Sequence, residues 1–353
     1  MARRQPKQGV LLVNLGTPDA PRAPEVRRYL AEFLSDPRVL DIPAVARQLL
    51  LRMVILPFRP RRSAEAYGKI WTDRGSPLLF HSEDLASKLS VRLGPQTPVV
   101  LGMRYGRPSL SEALARLAGE GVDELLVVPL YPQYASSSTG STLERVFHLL
   151  ADEWNVPQVR VLGAFYDHPA FLRAMARQIE RTLETRPDAH LLLSYHGLPE
   201  RQCRKSDPTG SHCLASASCC EAIVAANRHC YRAQCMETSR RLAALLDLAP
   251  GRWSVAFQSR LGRTPWIRPY TDEVLPDLVR SGHKDVVVAC PAFTADCLET
   301  LEEIGLRASE DFVAAGGRSL VLVPGLNAED HWVEALEEMV RGLGLVPQVG
   351  AHA

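Results

Sequence analysis

Short apolar, often β-branched runs recur along the chain at 10–15, 99–105, 124–130 and 159–165, and again at 191–194, 253–258, 285–290 and 319–323. Between most of them lie stretches whose apolar residues return every three or four positions: 25–34, 79–93, 109–118, 142–153, 170–185, 235–246, 272–280 and 298–312. A run that is apolar at successive positions predicts a strand covered on both faces, and the longer spacing predicts a helix that covers it. Their alternation predicts βα units, parallel sheets and right-handed crossovers. Four strands followed by four more predict an α/β protein of two similar doubly wound domains. The expected boundaries are 8–166 and 167–326. A last amphipathic stretch within 327–345 is expected to pack back on the first domain.

One stretch breaks the alternation. Positions 45–58 read VARQLLLRMVILPF and run into Arg59, Arg61 and Arg62. At about 14 residues the stretch falls short of the roughly 20 a bilayer demands. It predicts either a buried helix or an apolar lip, over 45–62, able to touch a membrane surface or admit an apolar ligand. No run of about 18 apolar residues occurs, so no membrane-spanning helix is expected. Residues 1–8 are basic but lack an apolar core before a cleavage site, so the expected location is cytoplasmic. Composition changes little: 46% hydrophobic and 23% charged residues are ordinary for a globular chain, and a net charge of +1 gives no reason to expect nucleic acid. The eight cysteines do change the picture. Cytoplasmic thiols stay reduced, and six of the eight fall between Cys203 and Cys235.

The fifth apolar run ends in SYHGLP at 194–199. Gly197 and Pro199 stop a strand there, so His196 stands where an open sheet hands over to a loop, the usual place for ligands. A satisfied structural histidine is the alternative. After the third run, YPQYASSSTG at 131–140 gathers two tyrosines and four hydroxyl residues ahead of a helix. Such a turn suits a carboxylate or other anion, and equally an ordinary N-cap. DCLETLEE at 296–303 opens a helix. Asp296 reads as its N-cap, and Glu302 and Glu303 as first-turn carboxylates favoured by the helix dipole. Glu299, three residues past Asp296, is expected to share its face and point into a cleft between the domains. The loop after the first strand, Gly16-Thr17-Pro18, has neither the dinucleotide nor the P-loop glycine pattern.

Assembled in order, these stretches closely resemble the ferrochelatases, enzymes that insert ferrous iron into a porphyrin to make haem. The motifs are LLVNLGTPDA at 11–20, GMRYGRPSL at 102–110, LYPQYASSSTGST at 130–142, SYHGLPER at 194–201, FQSRLGRTPWIRPYTDEVL at 257–275 and CPAFTADCLETLEEI at 290–304. The resemblance implies two Rossmann-like domains, each a four-stranded parallel sheet flanked by helices, around a porphyrin cleft. It implies that His196 and Glu299 are the catalytic, iron-handling pair. It puts Leu15, Tyr195, Trp266 and Phe293 against the faces of the macrocycle. Arg104, Tyr105, Tyr131, Tyr134, Ser138 and Thr139 fall on the substrate wall, with Arg104 and the hydroxyls at 136–139 meeting propionates. The residue types suit the chemistry: a neutral imidazole binds iron or takes a proton near pH 7, and a carboxylate relays protons. The implied substrates are Fe²⁺ and protoporphyrin IX, giving protohaem, with peripheral membrane contact through the lip. Coproporphyrin as substrate, another tetrapyrrole chelatase, and a non-enzymatic haem or iron–sulfur sensor are the alternatives.

The chain departs from the simplest family pattern at 199–232, a loop of about 34 residues, a length uncommon without a function. It holds Cys203, Cys213, Cys219, Cys220 and Cys230. No C-x₂-C knuckle is present, which disfavours a zinc ribbon. Some ferrochelatases carry a [2Fe–2S] cluster, and four thiolates suit one. Cys213, Cys219, Cys220 and Cys230 are the expected ligands. Cys203 is the reserve, because adjacent Cys219 and Cys220 make an awkward pair, and Cys235, Cys290 and Cys297 are left to packing.

Overall fold

The computed structural model describes residues 6–262 and 264–344. Parts of the expectations above that fall on positions 1–5, 263 and 345 lie outside the described residues.

Among the described residues eight strands form, where the apolar runs predict them: β1 (Gln8–Thr17), β2 (Val99–Gly106), β3 (Glu124–Pro129), β4 (Gln158–Val161), β5 (His190–His196), β6 (Trp253–Gln258), β7 (Asp285–Ala289) and β8 (Ser319–Leu322). They make two four-stranded sheets of the same topology, β2-β1-β3-β4 and β6-β5-β7-β8, in which every pairing is parallel. In both sheets the first strand in sequence lies inside. Accordingly Val10 to Val13 and Leu191 to Leu193 are fully buried, as strands sandwiched between helix layers must be.

The helices are α1 (Ala23–Ser35), α2 (Ala44–Leu50), α3 (Leu56–Ile70), α4 (Pro77–Leu93), α5 (Leu110–Gly119), α6 (Ser141–Ala151), α7 (Pro169–Glu184), α8 (Glu200–Lys205), α9 (Tyr231–Leu245), α10 (Thr271–Arg280), α11 (Ser309–Ala314) and α12 (Asp330–Gly342). Local chemistry sets their ends. Ser109 Oγ accepts from the Glu112 N–H (3.2 Å) while the Glu112 carboxylate accepts from the Ser109 N–H (2.8 Å), a capping box that starts α5. The helix α12 returns to the first half of the chain and packs on α4 as well as α7. Trp332 fills the space between Phe165 and Phe171, and Arg92 pairs with Glu337 at 2.5 Å.

Three segments wind as π-helix: Leu51–Ile55, Ser136–Gly140 and Glu299–Ala308. The periodicity at 298–312 predicts an ordinary helix. The wider winding there is a difference worth noting, because π-turns inside helices cluster at functional sites. The stretch at 45–58 joins a helical run from Ala44 to Ile70. Leu51 is buried, but Val45, Leu49, Met53, Val54 and Phe58 are 54% to 75% exposed. A helix does form there, but most of its apolar side chains are uncovered rather than buried. Among the described residues no helix is long and apolar enough to cross a membrane.

Candidate active site

The site is built at the carboxyl end of β5. His196 is the last residue of that strand, and its Nδ1 lies 2.6 Å from its neighbour's carbonyl oxygen, Gly197 O. The ring sits between two aromatic side chains, Trp266 and Phe293, each with its centroid 6.3 Å away. Gly197 is needed for room. A Cβ there would stand 2.9 Å from Gln258 O and 3.2 Å from Trp266 Cε3. Trp266 is itself fixed, its indole N–H donating to Leu261 O at 2.9 Å.

Gln258 connects the histidine's strand end to the backbone at the start of the π-helix. It is the register partner of His196 on β6, and its side-chain amide donates to Glu299 O at 2.8 Å. Its Oε1 accepts from Ser194 Oγ at 2.7 Å, so the amide cannot turn freely. Glu299 therefore enters the π-helix from a fixed point beside His196. One turn on, Glu303 accepts from the backbone N–H of Ser259 (2.9 Å) and from its hydroxyl (2.5 Å). Ser259 holds a positive φ of 68° to make this contact. Burial pushes the Glu303 carboxyl above the usual carboxylate range, and the negative charge of Glu299 adds to this, while the Ser259 hydroxyl and His196 oppose it. His196, Glu299 and Glu303 thus share one electrostatic neighbourhood.

Glu302 does stand in the first turn, as the dipole reading expects, but it is also buried against cations, and Glu303 lies past that turn. Glu302 is buried between Lys69 (3.4 Å) and Arg307 (3.3 Å). Asp296 turns back toward the loop after β8. It accepts from the Gly325 N–H (3.1 Å), from Asn327 Nδ2 (2.8 Å) and from Thr300 Oγ1 (3.1 Å), pinning the start of the π-helix rather than sharing a face with Glu299.

On the first half of the chain, Leu15 packs into a cluster with Tyr29, Tyr67 and Tyr105, which Leu298 and Leu301 of the π-helix also enter. Tyr29 and Tyr67 were not singled out from sequence; they lie on α1 and α3 and are buried in this cluster. Both phenols are pushed up, by burial first, and both feel the charge of Glu299. Tyr131, Tyr134 and Ser138 are half-buried around the Ser136–Gly140 turn. Thr139 is buried with no partner for its hydroxyl.

Three expected substrate contacts need correction. Tyr195 is fully buried, with its hydroxyl 2.8 Å from Ser239 Oγ under α9. Tyr105 is 1% exposed and its hydroxyl donates to Asp36 Oδ2 at 2.8 Å. Neither has surface to offer a ligand. Arg104 is turned inward: Nη2 donates to Asp36 Oδ2 (2.6 Å), Nε to Ser141 O (3.1 Å) and Oγ (2.7 Å), and the guanidinium lies 4.3 Å above the Tyr105 ring.

An open groove of about 1040 Å³ between α4 and α5 along the edge strand β2 is lined by none of these predicted residues.

The cysteine-rich loop is ordered by polar tethers. The Asp207 carboxylate accepts from the N–H groups of His212 (2.7 Å) and Cys213 (2.9 Å), and Asn227 Nδ2 donates to Cys219 O (2.9 Å). Cys203, Cys213, Cys219, Cys220 and Cys230 are all buried in one cluster. Cys219 and Cys220 hold their Sγ atoms 3.6 Å apart, near the roughly 3.8 Å expected of two thiolates on one tetrahedral ion with metal–sulfur bonds of about 2.3 Å. Contact with Cys203 pushes the Cys230 thiol up to about 11, burial adding to it. Among the described residues, however, no group of three or more His, Cys, Asp or Glu is arranged to hold a metal ion.

Two parallel four-stranded sheets, with an imidazole at one inner strand end and carboxylates on the helix beside it, define a protein of the chelatase fold. The sirohydrochlorin chelatase SirB of Bacillus subtilis subspecies spizizenii, solved in complex with cobalt, shares that fold, with a TM-score of 0.52 and 11% identity over 96% of this chain and 95% of its own. The family model described as Ferrochelatase matches residues 7–343. A ferrochelatase of Legionella pneumophila (strain Lens) is 45% identical over 334 residues, 95% of this chain and 98% of its own length. One from Coxiella burnetii (strain CbuK_Q154) is 47% identical over 336 residues, 95% of this chain and 93% of its own. The chain belongs to the ferrochelatase family, the porphyrin metal chelatases, which are lyases.

Proposed function

We propose that this chain inserts Fe²⁺ into protoporphyrin IX in a cleft between two domains, 8–166 and 167–326, with His196 and Glu299 as the reacting pair. The observation that supports the reading is Gln258, which pairs in register with His196 on β6 and donates to the backbone carbonyl of Glu299, bringing the start of the π-helix to the strand end that carries the imidazole. Insertion exchanges the metal for two pyrrole protons: Fe²⁺ enters, both N–H bonds break, and two H⁺ leave. His196 takes or passes one proton and Glu299 accepts the other. Leu15, Trp266 and Phe293 hold the ring faces, so that a bent macrocycle, closer to the transition state, is the one that fits. Tyr131, Tyr134, Ser138 and Thr139 face the propionates. Arg104 acts through Asp36 and Ser141, holding that turn in place. The test is iron insertion with Fe²⁺ and protoporphyrin or coproporphyrin, alongside porphyrin binding by fluorescence. His196→Ala keeps binding and loses most turnover; Glu299→Gln slows insertion more than binding. Parent turnover in folded His196→Ala refutes the assignment.

Two finer readings accompany this. The lip, with exposed Met53 and Phe58 beside Arg52, Arg59, Arg61 and Arg62, touches an anionic membrane surface while the rest of the protein stays in the cytoplasm. Co-sedimentation with anionic vesicles, lost in Met53→Ser/Phe58→Ser, tests it. Cys213, Cys219, Cys220 and Cys230 would hold a [2Fe–2S] cluster, two thiolates to each iron. When bound it would brace the loop, since metal insertion transfers no electrons. Supporting this are the shared burial of the thiols and the Cys219–Cys220 spacing. Visible absorption and a measured iron-to-sulfide ratio decide it.

A further inference from the structure

The lid-like helix α3 reaches the π-helix through one charged contact set in an apolar patch. Lys69, in the last turn of α3, places Nζ 3.4 Å from Glu302 Oε1, and Arg307 places Nη2 3.3 Å from Oε2. The Glu302 side chain is only 9% exposed although it stands in a helix's first turn. A carboxylate shut in this way depends on its cations, because an unpaired buried charge is costly. Arg307 belongs to the same helix. Lys69 comes from the other half of the chain. Around the pair, Leu298 and Leu301 pack into the cluster that holds Tyr29, Tyr67 and Ile70.

The π-winding gives the two carboxylates different directions. Positions three apart lie about 60° apart around an α-helix but roughly 115° apart when the turn widens to i→i+5 bonding. Glu302 is thereby turned to Lys69, while the backbone carbonyl of Glu299, three residues earlier, accepts from Gln258. One short helix serves both the reacting centre and the cover.

We propose that Lys69 and Glu302 are positioning residues that latch α3 and its lip onto the π-helix, so that closure over the tetrapyrrole and placement of Glu299 are set by the same contact. This rests on the reading of the cleft given above. Haem must unseat the lid to leave, so breaking the latch speeds its release and loosens the grip on porphyrin. In the latched state Tyr29 and Tyr67 lie close enough to Glu299 to feel its charge.

Lys69 is exposed, so Lys69→Met removes the charge without disturbing the fold, and Lys69→Arg keeps it. Haem formed on the enzyme from Fe²⁺ and porphyrin is timed as it leaves by capture on excess apomyoglobin, with porphyrin KM and kcat measured alongside. Lys69→Met is expected to raise both the release rate and KM about fivefold. Lys69→Arg stays within about twofold of the parent. Glu302→Gln matches Lys69→Met, and adding Lys69→Met to it changes neither quantity further. Unchanged release and KM in Lys69→Met, an equal loss in Lys69→Arg, or independent effects in the double variant overturn the latch. His196→Ala separates the two ideas. Parent turnover in that variant sinks the cleft assignment, whereas an inactive His196→Ala with a silent Lys69→Met sinks the latch alone.

Discussion

Asp36 gives the sharpest quantitative test of how the substrate wall is held. Its carboxylate is 5% exposed and faces Arg104, itself 14% exposed, at 2.6 Å. The same Oδ2 accepts from Tyr105 OH (2.8 Å) and Ser141 Oγ (2.6 Å), and Oδ1 accepts from the Arg38 N–H (2.7 Å). In Asp36→Asn the shape survives but the charge goes, and one amide face presents N–H to a group that already donates. Removing one partner of a buried pair costs about 3–5 kcal/mol. Arg104 keeps both Ser141 acceptors, which sets the expected loss near the lower end, about 3 kcal/mol. Burial alone would raise the Asp36 carboxyl, but Ser141, the Arg38 N–H, Tyr105 and the Arg104 charge together hold it below the usual range. The stabilisation is therefore present above the ordinary carboxylate pKa of about 3.9 and fades as pH falls through the lower folded value. Guanidinium denaturation at pH 7 measures the loss. The double variant Asp36→Asn/Arg104→Met should recover part of it, because the stranded guanidinium is gone. A loss under about 1 kcal/mol, or a double variant less stable than Asp36→Asn alone, would refute the account.

Other outcomes follow from single contacts. Gly197→Ala forces Gln258 and Trp266 apart; overpacking of this kind costs about 1–3 kcal/mol, and the iron-insertion kcat/KM is expected to fall at least about tenfold. Tyr195→Phe loses one buried hydrogen bond, about 1 kcal/mol in a melt, and leaves porphyrin KM unchanged; a raised KM would return Tyr195 to the cleft wall. His190 is buried against Ser254 Oγ (2.8 Å) and the His283 ring, and burial first, then the His283 charge, lowers it to about 4. A histidine kept neutral in the fold contributes above its unfolded pKa near 6.5, and that contribution drains away as pH falls toward 4, about 1–2 kcal/mol after solvent screening. His190→Gln should flatten this part of the stability–pH curve, and a slope unchanged from the parent would exclude His190 as its source.

The sheets were legible because a strand buried on both faces writes itself as an unbroken apolar run, as in Leu191 to Leu193. His196 was legible for the same reason, since the run stops at it. The rule that located His196 also excludes its neighbour: side chains alternate along a strand, so with His196 turned to the cleft, Tyr195 must face α9. Motif membership hid what period two made plain. Glu302 and Glu303 were hidden differently. The dipole accounts for a carboxylate in a first turn but not for its partners, and nothing local to residues 296–303 announces that Lys69, more than two hundred residues away, and Ser259 pair with these carboxylates. The π-winding has no periodic signature of its own over a single ten-residue segment, yet it sets which carboxylates of that helix meet Lys69 and which meet Ser259. What sequence pattern cannot carry is the long-range burial of a charge. In this protein that burial comes from Lys69, on a helix of the first half of the chain, closing over Glu302 of the second.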